Sequence, residues 1–167
     1  FRRGKAVEMK SIADEAAEQI PTLEHMIVLK RTGQDVTMKA GRDHWWSLLT
    51  APQPDTASTE ITSAEDPLMI IYTSGTTGKP KGALHTHCGF PVKAAQDMAF
   101  GTDVHQGDVI YWMTDMGWMM GPWQVFGSLL LSATMFIYDG APDFPTPSRL
   151  WGLVEKHKIN QMGVSPT

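Results

Sequence analysis

The run Tyr72-Thr73-Ser74-Gly75-Thr76-Thr77-Gly78-Lys79-Pro80-Lys81-Gly82 constrains this chain more than any other, because it closes an apolar segment with a bend crowded by hydroxyls, glycines and lysines. Leu68 to Thr73 reads as a continuous apolar strand, and Gly82 to Thr86 as a second short strand leaving the bend. Gly75, Gly78 and Gly82 allow positive φ and close approach of the backbone to a ligand, so that amide N–H groups can converge on an anion. Thr73, Ser74, Thr76 and Thr77 add hydroxyl donors. Lys79 and Lys81 bring compact positive charges that suit phosphate oxygens. Pro80 between them removes an amide donor and fixes its own φ, so the bend cannot pass from Lys79 straight into a helix interior. The composition points to a phosphate cradle.

The spacing is not that of the Walker-type loop, G-x-x-x-x-G-K-[ST] opening a helix, and Pro80 stands where that loop carries its magnesium-holding hydroxyl. A generic kinase or GTPase is therefore a weak reading. The plainer alternative for the same residues is a polar Gly/Ser/Thr hairpin joining two strands.

With 167 residues, 42% of them hydrophobic and 19% charged, the chain can build one domain with a real core, although it is short for an enzyme that must close over a nucleotide. A formal net charge of −4 argues against nucleic-acid binding by bulk electrostatics, so any anion site is local. Cys88 is the only cysteine, which excludes an internal disulfide and makes a reducing compartment, the cytoplasm, the expectation. The apolar stretch around Leu129 to Tyr138 is broken by Ser132 and Thr134 and is too short for a membrane span. A chain that opens on Phe1 without a signal-peptide pattern reads as a piece of a longer one.

Along the chain, residues 8–19 suggest a short amphipathic helix with Ser11 as its cap and Asp14 and Glu15 in its first turn, ended by Pro21. His25 to Lys30 reads as a buried strand, Val36 to Lys39 as its short partner, and Asp43 as the cap of a helix through Leu49. Residues 50–67, rich in Ala, Pro, Ser, Thr and acids, read as a linker or surface loop. From Pro91 onward helices and strands alternate: helix to Phe100, strand Asp108–Thr114, helix Gly121–Leu131, strand Thr134–Tyr138, helix Ser148–Lys158, strand Asn160–Val164. This order predicts an α/β fold with a mainly parallel sheet flanked by helices, the loops after Tyr72, Thr114 and Tyr138 sharing its carboxyl edge.

The run from Tyr72 to Gly82 resembles the signature loop of the adenylate-forming acyl-CoA synthetases. Gly41-Arg42-Asp43-His44-Trp45-Trp46, Glu65-Asp66-Pro67, Leu84-His85-Thr86-His87 and Asp115-Met116-Gly117-Trp118 are similar to the acetyl-CoA synthetase branch. The resemblance covers Arg2 to Thr167, a central slice of that enzyme. It implies a single partial AMP-binding domain, residues 1–167, from the large amino-terminal part of such a ligase. ATP with Mg2+ and coenzyme A would be its co-substrates and a short carboxylic acid such as acetate or propionate its acyl donor, with no nucleic-acid or membrane partner. Thr73, Ser74, Gly75, Thr76, Thr77, Gly78, Lys79 and Lys81 would then hold the ATP phosphates. The adenylation lysine of the family lies outside this chain, so the isolated chain is expected not to turn over.

Other clusters carry two readings. Arg2, Arg3 and Lys5 are by themselves a solvated basic turn; the resemblance makes them a contact for the nucleotide end of coenzyme A, with Lys5 in place of a family arginine. Trp118, Met119 and Met120 are by type core residues; the resemblance places them around the acyl group, with Met120 also bordering the coenzyme A thiol channel. The two methionines stand where small residues are usual, which bears on the identity of the acid. Asp143, in Gly140-Ala141-Pro142-Asp143, falls where the family has a polar coenzyme contact. His85 and His87 alternate and invite a metal reading, but no third ligand lies at a sensible spacing. No metal site is expected, and His87 is expected to have a hydrogen-bonding role near the nucleotide. A different adenylating enzyme, charging another acid or a carrier protein, and a non-catalytic module keeping the fold are the alternatives.

Overall fold

The computed structural model describes residues 5–73 and 78–164. The chain divides between Thr59 and Glu60 into two compact units, within the stretch read as a linker.

In the first unit, helix α1 spans Met9–Glu18. Ser11 does not cap it; Ser11 lies inside the first turn, where its hydroxyl donates back to the Glu8 carbonyl at 2.9 Å. Strand β1, Met26–Val28, pairs in parallel with β2, Asp43–Trp45, in the register Met26↔Asp43. The expected partner Val36–Lys39 forms no strand, and Asp43 caps no helix: it is a strand residue, and α2, Trp46–Thr50, starts three residues later. Nor is β1 buried, for Ile27 is 57% exposed. A charge cluster links α1 to the start of β2. The Asp43 side chain is fully out of solvent, with Lys10 Nζ at 2.8 Å, the Lys39 amide at 2.8 Å and the Arg42 guanidinium against it. Arg42 also pairs with Asp14, which sits 2.6 Å from Lys10 on α1. Hydrogen bonding from Arg42 holds the Asp43 carboxyl well below the usual carboxylate range, against burial, and Lys10 adds to it. Lys10 and then Arg42 lower Asp14 in the same way.

The second unit is built on packing. Residues 63–66 turn and dock on the start of its helical part, through Cys88 N to Ala64 O (2.9 Å) and His87 N to Asp66 O (3.1 Å). Strands β3, Pro67–Thr73, and β4, Lys81–Thr86, form an antiparallel ladder of their own. Helix α3, Gly89–Gln96, runs into a widened turn at Asp97–Gly101. Strand β5 (Val109–Trp112), helix α4 (Met120–Leu130), strand β6 (Thr134–Met135), helix α5 (Arg149–His157) and strand β7 (Gln161–Gly163) complete it. The last three strands make a parallel sheet in the order β6-β5-β7.

Strand β5 is central, and its alternation sorts two cores. Ile110 and Trp112 face a cluster with Phe90, Ala94, Met98 and Trp123 on the α3/α4 side. Val109, Tyr111 and Met113 face Leu150, Val154 and Ile159 on the α5 side. Helices therefore cover both faces, as right-handed connections running first to β6 and then back across to β7 require. Gly127 lets α4 approach α3, for a Cβ there would stand 3.0 Å from the Ala94 carbonyl. Met98, fully buried, fills the space beside it.

The mixed, mainly parallel α/β architecture is as expected, with one correction. The hairpin β3–β4 is antiparallel and not laddered to β5, so only the loops after β5 and β6 leave a common sheet edge. No helix among the described residues is long and apolar enough to cross a membrane.

Candidate functional site

The β3–β4 hairpin delivers the first candidate group. Its cross-strand pairs run from Met69↔His85 through Ile70↔Leu84, Ile71↔Ala83 and Tyr72↔Gly82 to Thr73↔Lys81. Leu68 and Met69 pack on the α3/α4 core and Ile71 is buried, whereas Ile70 and Tyr72 are exposed. Gly82 packs closely under its neighbours, for a Cβ would stand 3.1 Å from Ile70 Cγ2 and 3.2 Å from the Tyr72 ring. The hydrophobic base thus fixes the direction of the strands, and the open end carries the polar residues. Thr73 and Lys81 are its last pair, and both are exposed. Gly78 takes φ of +82°, a conformation that other residues adopt at a cost. Lys79 is exposed beside it.

The hairpin, the plainer geometry, is the one this chain adopts, and a strand rather than a helix follows the loop, which removes the Walker-type arrangement. A hairpin does not disqualify a cradle: both lysines stay in solvent at its tip. Ser74, Gly75, Thr76 and Thr77 lie outside the described residues, as do Arg2 and Arg3 at the amino end. Lys5 is described and exposed.

The second group stands at the carboxyl edge of the β6-β5-β7 sheet. After β5 the chain turns at Asp115, whose carboxylate accepts the Gly117 amide at 2.7 Å, and enters α4 at Met120. Gly121 is obligatory there, since a Cβ would collide with the Asp115 carbonyl. Trp118, at 64% exposure, and Met119 lie on the surface, against the core reading of their type; Met120 is half-buried and packs on the α3/α4 core. The loop after β6 leaves the same edge and carries the exposed Asp143. Tyr138 steadies it, donating to the Ala141 carbonyl at 3.3 Å and lying under the Arg149 guanidinium.

One residue that holds this edge had not been singled out from sequence. Gln124, 3% exposed on α4, donates through Nε2 to the Ile110 carbonyl at 3.0 Å and the Phe136 carbonyl at 3.3 Å. It ties α4, and with it the Trp118–Met120 turn, to β5 and the start of the loop after β6. Its signal in the sequence is a lone amide in the apolar helix segment MGPWQVFGSLL.

His85 and His87 stand in different settings. His85 packs edge-on against Phe90 and buries Nε2 without a hydrogen-bond partner, while His87 lies past the end of β4. No group of three or more His, Cys, Asp or Glu among the described residues could hold a metal ion.

A family model described as AMP-binding enzyme matches residues 4–167. The chain is 44% identical over 169 residues to acetyl-coenzyme A synthetase of Rhodopirellula baltica, covering all of this chain and 25% of that protein. It is 46% identical to the acetyl-coenzyme A synthetase of Methanothrix thermoacetophila, again over the whole chain and 26% of the relative. Among solved structures, acetoacetyl-CoA synthetase from Streptomyces lividans superposes with a TM-score of 0.83 at 30% identity, over 99% of this chain and 25% of that one. The chain thus spans about a quarter of the length of these relatives.

Proposed function

The chain belongs to the AMP-binding enzyme family, and from that premise we propose that it is the central part of an ATP-dependent carboxylate–CoA ligase, residues 1–167 contributing to a single nucleotide-binding domain. In the reaction a carboxylate oxygen attacks the α-phosphorus of ATP, breaking the bond to pyrophosphate and forming an acyl adenylate. The coenzyme A thiolate then attacks the acyl carbon and AMP departs.

The observation that carries this reading is the hairpin tip. Thr73, Gly78, Lys79 and Lys81 lie at the open end of the ladder, on either side of Ser74 to Thr77 in the sequence, and would supply what a departing pyrophosphate needs, positive charge and hydrogen-bond donors. ATP would come with Mg2+, and this chain's part would be to grip the phosphate oxygens. Trp118, Met119 and Met120 would border the acyl group. Arg2, Arg3, Lys5, Met120 and Asp143 would meet coenzyme A.

The two long, flexible side chains at Met119 and Met120 favour a second reading within the same chemistry, in which the acid is other than acetate. The test is AMP release by the complete enzyme bearing this sequence, with acetate, propionate and longer acids, with and without coenzyme A. Release that depends on coenzyme A and peaks with a short acid is expected. Adenylation indifferent to coenzyme A would replace the ligase with a carrier-charging enzyme, and silence with every acid would leave a non-catalytic module.

A further inference from the structure

The β1/β2 ladder of the first unit brings two imidazoles together. His25 lies just before β1 and His44 in the middle of β2, and His44 Nε2 stands 3.1 Å from His25 Nδ1, with ring centroids 5.1 Å apart and the rings inclined by 63°. Two imidazole nitrogens on one tetrahedral or square-planar ion, each roughly 2.0–2.1 Å from it, stand roughly 2.9–3.4 Å apart. The observed spacing falls inside that interval. The pair is also fixed in place. His44 follows Asp43, which Lys10 and Arg42 lock, and His25 precedes Met26, whose amide donates to the Arg42 carbonyl at 2.8 Å.

We propose that His25 and His44 form a two-imidazole site for a borderline transition-metal ion such as Zn2+ or Ni2+, separate from the nucleotide chemistry. In the present arrangement one ring nitrogen donates to the other. Binding exchanges that hydrogen bond for two metal–nitrogen bonds, with the shared proton moving to the outer nitrogen of its ring or to water and the rings turning until both lone pairs aim at one point. No third His, Cys, Asp or Glu joins them among the described residues, so water completes the coordination and the ion exchanges freely. Neutral nitrogen ligands select Zn2+ or Ni2+ over Mg2+ or Ca2+.

The experiment is titration of the chain with Zn2+ and Ni2+ in a Cys88→Ser background, because Cys88 is an exposed thiol that binds the same ions. Calorimetry reports stoichiometry, and histidine ring-proton NMR reports location. One ion per chain is expected, with two of the six histidine ring signals shifting first. His25→Gln and His44→Gln should each weaken binding by about tenfold or more, while His105→Gln leaves it unchanged. Mg2+ should produce no shift. Equal affinity in either Gln variant, or shifts confined to other histidines, overturns the site. If circular dichroism shows His44→Gln to be unfolded, His25→Gln alone decides, since that residue lies outside the strand.

Discussion

The two units of this chain are stabilised by different physics. Among the described residues every buried hydrophobic side chain lies between Ile71 and Ile159, in the second unit. The first unit has none: Ile12, Ile27, Leu29 and Leu48 are all more than half exposed, and its most buried side chain is a carboxylate between two cations. Apolar packing carries no titrating group and is sensitive to volume. A charge cluster is the reverse, and it contributes only while every partner is present.

The largest expected effect tests the packed side. Met98→Ala empties a site with no solvent exposure between α3 and α4 and should cost about 2–5 kcal/mol in urea unfolding of the second unit. A loss well under 1 kcal/mol would mean that the two helices close up freely. Gln124→Leu comes next: it takes the side-chain donor from the Phe136 carbonyl, while the Ile110 carbonyl keeps the Phe136 amide at 2.8 Å, and should cost about 1–3 kcal/mol. Hydrogen exchange should locate that loosening in the Trp118–Met120 turn.

On the charged side, Asp43→Asn leaves Lys10 and Arg42 with Asp14 as their shared carboxylate and should reduce amide protection in Met26–Val28 while sparing β5. Acid should do the same. The Asp43 and Asp14 carboxyls are held below their ordinary values when folded, so the unfolded chain takes up protons first as the pH falls through about 4. The cluster's contribution is complete above that pH and is lost below it. Acid loss of β5 protection before that of β1 would reverse the contrast. The smallest effect is Lys93→Ala. Its pair with Asp97 is exposed at both ends, and the unfolding midpoint should not move.

The same contrast explains what could be read from sequence. In the second unit long apolar runs set the period, and each helix and strand after Pro91 falls within a few residues of its expected place. Strand β2 escaped because three residues, Asp43, His44 and Trp45, carry no alternation and owe their pairing to an ion cluster assembled from distant positions. The hairpin was legible in principle. The loop 74–80 is too short for a parallel crossover, which needs a dozen or more residues, so β3 and β4 had to be antiparallel. The alternation of helices and strands further along the chain is what placed the loop after Tyr72 on the shared sheet edge. For the site, residue types at the tip were legible from their chemistry, whereas the clamp at Gln124 required knowing which carbonyls α4 would cover.

The account rests on the hairpin tip as an anion grip, and ATP–pyrophosphate exchange measures that grip without the thioester step. In the complete ligase bearing this sequence, Lys79→Ala combined with Thr76→Ala should lower exchange by about a hundredfold or more, with unfolding unchanged. Exchange at the native rate in that double variant would contradict it.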